Sequence, residues 1–152
     1  MKWLVLLHVF TAIIGVGPTY FLHVLYRTRQ SAGEFKHALR LGSLLDLFPK
    51  VGGSLSVISG IMLVAWSPVR FLDLWIIGSL LLYALIQIVI IGVVTPRQKQ
   101  LRAILEQREG LQDKDMLPGD IQASIASINN WLYLVSAMGI VLFILMILKP
   151  VL

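Results

Sequence analysis

Two histidines stand in the first apolar stretch of the chain, His8 and His23, in the run HVFTAIIGVGPTYFLH. Histidine can ligate a metal, carry a proton or simply hydrogen-bond. Its charged form is costly inside a bilayer, so each is a candidate for function. At 100° per residue, His8, Thr11, Ala12, Gly15, Thr19 and His23 fall within an arc of roughly 120° on a helix. One face of this segment is therefore built for something other than lipid. The two histidines lie roughly 22 Å apart along a straight helix, so they share a face but not a depth. No single metal or haem can take both. At the depth of His8 the second apolar stretch offers Met62, with Met146 as a further candidate. A His/Met pair is an axial set for haem iron, and both residue types bind copper. Met62 can equally be a packing or lipid-facing methionine. Near His23 the depth-matched groups are Lys50, Gln87 and Asn129. These suit a proton path or an anionic headgroup better than a metal. His37 reads as a solvated residue.

Other stretches repeat the polar-faced pattern. Gly52, Ser56 and Gly60 follow at i, i+4, i+8, with Ser59 beside them, and form a small-residue face that lets two backbones approach. Trp75, Ser79, Tyr83 and Gln87 form a second series. Asn129, Tyr133 and then Ser136 or Ala137 form a third. A polar seam of Thr11, Thr19, His23, Ser56, Ser79, Tyr83 and Gln87 is expected inside the assembled helices. Such groups either join helices, at about 0.6–2 kcal/mol per hydrogen bond, or line a path. Pro18, after Gly15 and Gly17, removes a backbone bond near Ile14 and predicts a bend there, either as a structural kink or as a hinge or ligand site at mid-membrane.

The elements that must position these residues are four apolar runs, 3–26, 47–66, 71–94 and about 129–148. Each is long enough to cross a ~30 Å hydrocarbon core as a helix. Composition agrees: of 152 residues, 57% are hydrophobic and 14% charged, with a mean hydropathy of +0.83. A soluble domain of this size could not bury so much apolar surface. The expected fold is all-α: a single polytopic membrane domain of four transmembrane helices in an antiparallel bundle. Ten basic residues fall in the two long connections and three (Lys2, Arg70, Lys149) on the other side. This bias places the connections in the cytoplasm and both termini outside. Trp3, Trp66 and Trp75 mark the outer boundary, Tyr26 and Trp131 the inner one.

The connections carry structure of their own. Ser31-Ala32-Gly33-Glu34 reads as a capping box. Phe35, Ala38, Leu39, Leu41, Leu44, Leu45 and Phe48 then recur at helical spacing, so an amphipathic cytoplasmic helix is expected over about 32–48. It lies on the inner surface or extends the second span, and Pro49 breaks or kinks it. A cytoplasmic helix-loop is expected over about 97–120, its helix carrying Leu101, Ile104 and Leu105 and running to Gly110. Asp120 is the expected N-cap of a last helix that starts near Ile121. Residues 67–70 make the second and third spans a hairpin.

Several classes drop out. The absence of cysteine excludes disulfides, thiolate metal sites and cysteine nucleophiles. The net charge of +5 flanks apolar runs and forms no patch on a soluble fold, so nucleic acid is not an expected partner. The first run is too long, and too lightly charged ahead of it, for a secretory leader. No hydrolase triad, P-loop or dinucleotide fingerprint occurs.

The opening LVLLHVFTAIIGVGPTYFL, then SGIMLV in the second span and PRQKQL after the third, resembles a family of predicted bacterial four-helix integral membrane proteins of unknown function. More distantly the layout is similar to CopD-like copper-resistance proteins and HemJ-type protoporphyrinogen oxidases. These place a first-helix histidine in an "LH" context that Leu7-His8 matches. In the HemJ type that histidine is associated with haem, together with a lysine of the third helix. Here the third span holds no lysine and Trp75 stands nearest that position, so the resemblance carries the histidine without the full ligand set.

Three functions stay open from sequence, all for a multipass protein of the bacterial inner membrane in contact with the lipid bilayer. It binds a redox cofactor, b-type haem or copper, through His8. It assembles as a homodimer or with a membrane partner through its small-residue faces. Or it conducts a small solute or protons along the polar seam.

Overall fold

The computed structural model describes residues 1–108 and 112–150. Among them every regular element is helical. Four helical segments are long and apolar enough to cross a membrane: Lys2–Leu25, Ala32–Ala65, Leu74–Gln107 and Gly119–Leu148.

The first span is not one continuous α-helix. α1 covers Lys2–Val16, a 3₁₀ turn follows over Gly17–Tyr20, and α2 is the single turn Leu22–Leu25. The cause is Pro18, which has no N–H to donate and whose ring crowds the carbonyl four residues back. α3 (Ala32–Leu45) begins at the capping box. Glu34 N–H donates to Ser31 Oγ (3.3 Å) and Ser31 N–H donates to Glu34 Oε2 (2.8 Å). α4 (Leu47–Ala65) follows after one break, at Asp46. Pro49 lies three residues beyond that break. The bond it cannot make is the one to Leu45, so the interruption falls upstream of the proline itself.

α5 (Leu74–Val89) continues through a π turn, Ile90–Val94, into α6 (Thr95–Gln107). Pro96 therefore does not end the helix. The wider turn before it absorbs the proline's missing bond, and Pro96 then occupies the first turn of α6, where no N–H is needed. The expected end of this helix at Gly110 lies outside the described residues. α7 runs from Gly119 to Leu148 with Pro118 at its N-cap. Asp120, expected as the cap, sits instead in the first helical turn. There its charge suits the helix dipole and it pairs with Arg108.

The best-buried part of the molecule is at the end carrying α3 and α6, the basic end. Ala32, Phe35, Ala38 and Leu39 of α3 pack with Leu101 and Leu105 of α6 and with Ile121, Ile125 and Ile128 of α7. The apolar face of α3 is thus covered by protein, and α3 and α4 together form the helical segment Ala32–Ala65. The segment before α7 is tied down as well: Ala32 N–H donates to Asp115 O (2.8 Å), Gly33 N–H to Asp113 O (3.0 Å), and Lys36 pairs with Asp113 at 2.9 Å.

Toward the other, hairpin end the helices pack in two pairs, α1 along α4 and α5 along α7. The 3₁₀ turn of the first span touches both α4 and α7 and joins the pairs. Glycines set the first pairing. A Cβ on Gly15 would lie 2.6 Å from Gly53 N and 2.8 Å from Gly52 C, so only hydrogen fits there.

Candidate functional site

The close approach at Gly15 fixes what His8 meets. Two turns nearer the hairpin end, the imidazole lies against Gly60, where a Cβ would come 3.0 Å from His8 Cε1. His8 Nδ1 is 2.9 Å from the Ser56 carbonyl and 3.2 Å from Ser59 Oγ. A carbonyl oxygen can only accept, so Nδ1 carries the proton. Ser59 Oγ in turn donates to Leu55 O at 2.7 Å, leaving its lone pairs toward the ring. In the neutral imidazole Nε2 then keeps its lone pair, and it makes no hydrogen bond among the described residues. The ring is half-buried between α1 and α4.

Met62 is not on this face. His8 meets Ser56, Ser59 and Gly60, and Met62 stands about 110° around α4 from their mean direction at 100° per residue. It is 37% exposed. Depth matching alone selected it. Ser56 reaches His8 through its backbone carbonyl, not through its hydroxyl.

The remaining seam residues divide into two groups. Thr11, Thr19 and Ser79 are buried, but each bonds back to its own helix: Thr11 to Leu7 O (2.8 Å), Thr19 to Val16 O (2.6 Å) and Ser79 to Trp75 O (2.6 Å). These hydroxyls are satisfied locally and leave little donor capacity for a ligand. Tyr83 and Gln87 instead face a cavity of about 30 Å³, together with Thr19, Gly53 and Gly139. That is room for a water or two rather than for a larger ligand.

Over residues 2–150 the chain matches the model of a family described as "Predicted integral membrane protein (DUF2269)". The chain belongs to this family. No curated protein and no solved structure matches it. The family description and the four spanning segments agree: this is an integral membrane protein in contact with the bilayer.

At the basic end of the first span a second polar group assembles. The His23 ring stacks on Tyr133 with centroids 4.7 Å apart and planes tilted by 40°. Asn129 Nδ2 donates to the Tyr26 carbonyl at 2.6 Å, closing the frayed end of α2. Four buried atoms on the facing surfaces have no hydrogen-bond partner among the described residues: Tyr20 OH, His23 Nδ1, Asn129 Oδ1 and Ser136 Oγ. Lys50, Gln87 and Asn129 were the depth-matched groups for His23; Lys50 is exposed, Gln87 lines the cavity, and Tyr133 is what meets the ring. The i+4 series on α7 signalled Asn129, Tyr133 and Ser136. Tyr20 was not foreseen, because at 100° per residue it lies outside the polar arc; the 3₁₀ turn brings it against Gly139, where a Cβ would come 2.6 Å from its hydroxyl.

The small-residue face of α4, read from sequence as one that lets two backbones approach, is occupied within the chain by Gly15 and His8 of α1.

Proposed function

We propose that this protein holds a b-type haem through His8, in the bacterial inner membrane, with its basic end in the cytoplasm. The observation that carries this reading is the bond from His8 Nδ1 to the Ser56 carbonyl at 2.9 Å. Metal-ligating histidines are oriented in this way: one ring nitrogen donates to a carbonyl, which fixes the tautomer and presents the other nitrogen's lone pair. The donor set fits haem better than copper. Copper sites draw on several nitrogen or sulfur ligands, and no cluster of three His, Cys, Asp or Glu side chains occurs among the described residues. Haem can be held by one axial histidine. His8 supplies that ligand, and Met62 on another face of α4 does not complete a pair. The seam cavity of about 30 Å³ is too small for a macrocycle, so a haem held by His8 would have to sit outside the packed seam. When bound it would supply one-electron chemistry. This chain's part is to hold the imidazole, fix its tautomer through Ser56 and keep its surroundings apolar. The resemblance of Leu7-His8 to the haem-associated histidine of HemJ-type proteins points the same way. A reduced-minus-oxidised absorption spectrum of protein extracted from membranes tests the reading: haem bands present in the parent and lost in His8→Ala support it, and bands that survive in His8→Ala sink it.

A separate observation favours a second reading, a path for protons or a small solute. The unpaired polar atoms of Tyr20, His23, Asn129 and Ser136 run along α7 toward the water-sized cavity beside Tyr83 and Gln87. Water molecules that satisfied them would form a chain from the basic end to mid-membrane. Proton flux into liposomes that is unaltered by Tyr83→Phe and Gln87→Leu would remove this reading.

A further inference from the structure

A pocket of about 280 Å³ opens at the basic end, between the short connection that follows α2 and the first turns of α3. Its polar wall is made by Arg27, Arg29, Gln30, Glu34 and His37. Three features point to an anion. First, Arg27 Nε donates to Val24 O at 3.1 Å, which fixes the guanidinium at the end of α2, and its two terminal nitrogens have no partner among the described residues. Second, neither Arg27 nor Arg29 forms an ion pair among the described residues. Third, Gln30 is only 8% exposed, and its Nε2 is buried with no hydrogen-bond partner among the described residues. A buried amide donor left unpaired is costly, and a ligand oxygen reaching it would relieve that cost. Gln30 is held in place by the segment that crosses it, since Leu117 N–H donates to Gln30 O at 3.4 Å. The one carboxylate in the wall, Glu34, has Oε2 engaged by Ser31 N–H in the capping box. Two guanidinium groups therefore outweigh one partly committed acid.

The rim is apolar. Val24 and Leu41 line the pocket, and Val24, Leu44 and Leu47 nearby are exposed. This places cations and a donor just beyond the apolar end of the first span, where phospholipid phosphates lie. Guanidinium forks match the oxygens of phosphate, and basic pockets between spans on the cytoplasmic side suit anionic headgroups.

We propose that this pocket binds phosphate, held by Arg27, Arg29 and the Gln30 amide, and that its source is the headgroup of an anionic phospholipid. Free phosphate is the other source of the same chemistry. The test uses the full chain, delipidated in neutral detergent and titrated with phosphatidylglycerol, with phosphatidylcholine or with inorganic phosphate, with bound ligand read by native mass spectrometry. The expected result is a preference for phosphatidylglycerol that falls roughly tenfold or more in Arg27→Gln/Arg29→Gln. The same preference should persist in Lys99→Gln/Arg102→Gln, which removes equal charge from α6. Gln30→Leu should weaken retention with no change of charge, and so reads the site even if the double variant does not fold. Phosphatidylglycerol that inorganic phosphate cannot displace confirms the lipid source. Inorganic phosphate that binds and blocks the lipid keeps the phosphate site and overturns the lipid assignment. Equal retention of the two lipids, or equal losses in the Lys99/Arg102 control, overturns the site.

Discussion

Gly15 and Gly52 meet backbone to backbone: a Cβ on Gly52 would lie 2.7 Å from Gly15 N, and one on Gly15 would lie 2.8 Å from Gly52 C. This contact sets the register between α1 and α4. The register in turn puts the His8 ring over Gly60 and its Nδ1 at the Ser56 carbonyl. A small-residue contact between α1 and α4 thus decides which atoms His8 meets.

Enlarging either glycine should separate the pair. Gly15→Val is expected to cost about 1–3 kcal/mol or more, since neither backbone can yield as a side chain would. Gly17→Ala is the matched control, with open space around it, and should be close to neutral. Thermal unfolding in detergent, followed by tryptophan fluorescence, would compare them. Equal midpoints for Gly15→Val and Gly17→Ala would refute the close approach.

Asn129 should matter more than an ordinary polar residue in a span. Its amide donates to the Tyr26 carbonyl at 2.6 Å, at the C-terminal end of α2. Asn129→Leu should lower stability by about 1–3 kcal/mol through the carbonyl left unpaired. Denaturant titration of the purified protein checks this. An unchanged midpoint would mean that water already serves that carbonyl.

The basic end should behave as a cooperative unit. Ile125 is fully buried between α3, α6 and α7. Ile125→Ala is expected to cost about 2–5 kcal/mol through the cavity it leaves. Limited trypsin digestion offers a direct readout, with faster cleavage at Lys99 and Arg102 of α6. Val141→Ala, on the exposed surface of α7, should leave the cleavage rate as it is.

Much of this architecture was legible because it is local. The four apolar runs, the capping box of Ser31 and Glu34, and the disturbance around Pro18 each depend on neighbours within a few residues. What was not legible depends on long-range contact. The periodicity of α3 says that one face needs cover, but Leu101, Leu105 and Ile125 supply that cover from elsewhere in the chain. Met62 matched His8 in depth, yet depth ignores helix phase, and phase depends on how Gly15 seats against Gly52. Nothing in the residues next to Gln30 signals a buried amide, and the crossing of Leu117 makes it one. The seam was half legible: the hydroxyls of Thr11, Thr19 and Ser79 do face inward, but they return their protons to their own helices.

Tyr20→Phe separates a packing role from a hydrated one. The Tyr20 hydroxyl is buried without a protein partner, so its removal should leave stability unchanged or slightly raised if the site is dry. A loss of 1 kcal/mol or more, on the order of one hydrogen bond, would instead reveal a bound water in the seam. Thermal denaturation of the single variant decides it.

The central claim is that His8 presents Nε2 to a haem iron, and haem titration of the purified protein tests it most directly. Full-length protein in detergent, stripped of any cofactor, is titrated with haemin while the Soret region is followed. The account predicts a saturable shift at one equivalent per chain or per pair of chains, and no such shift in His8→Ala of intact helix content. Met62→Leu should titrate like the parent. No spectral shift in the parent, or an identical shift in His8→Ala, would contradict the account.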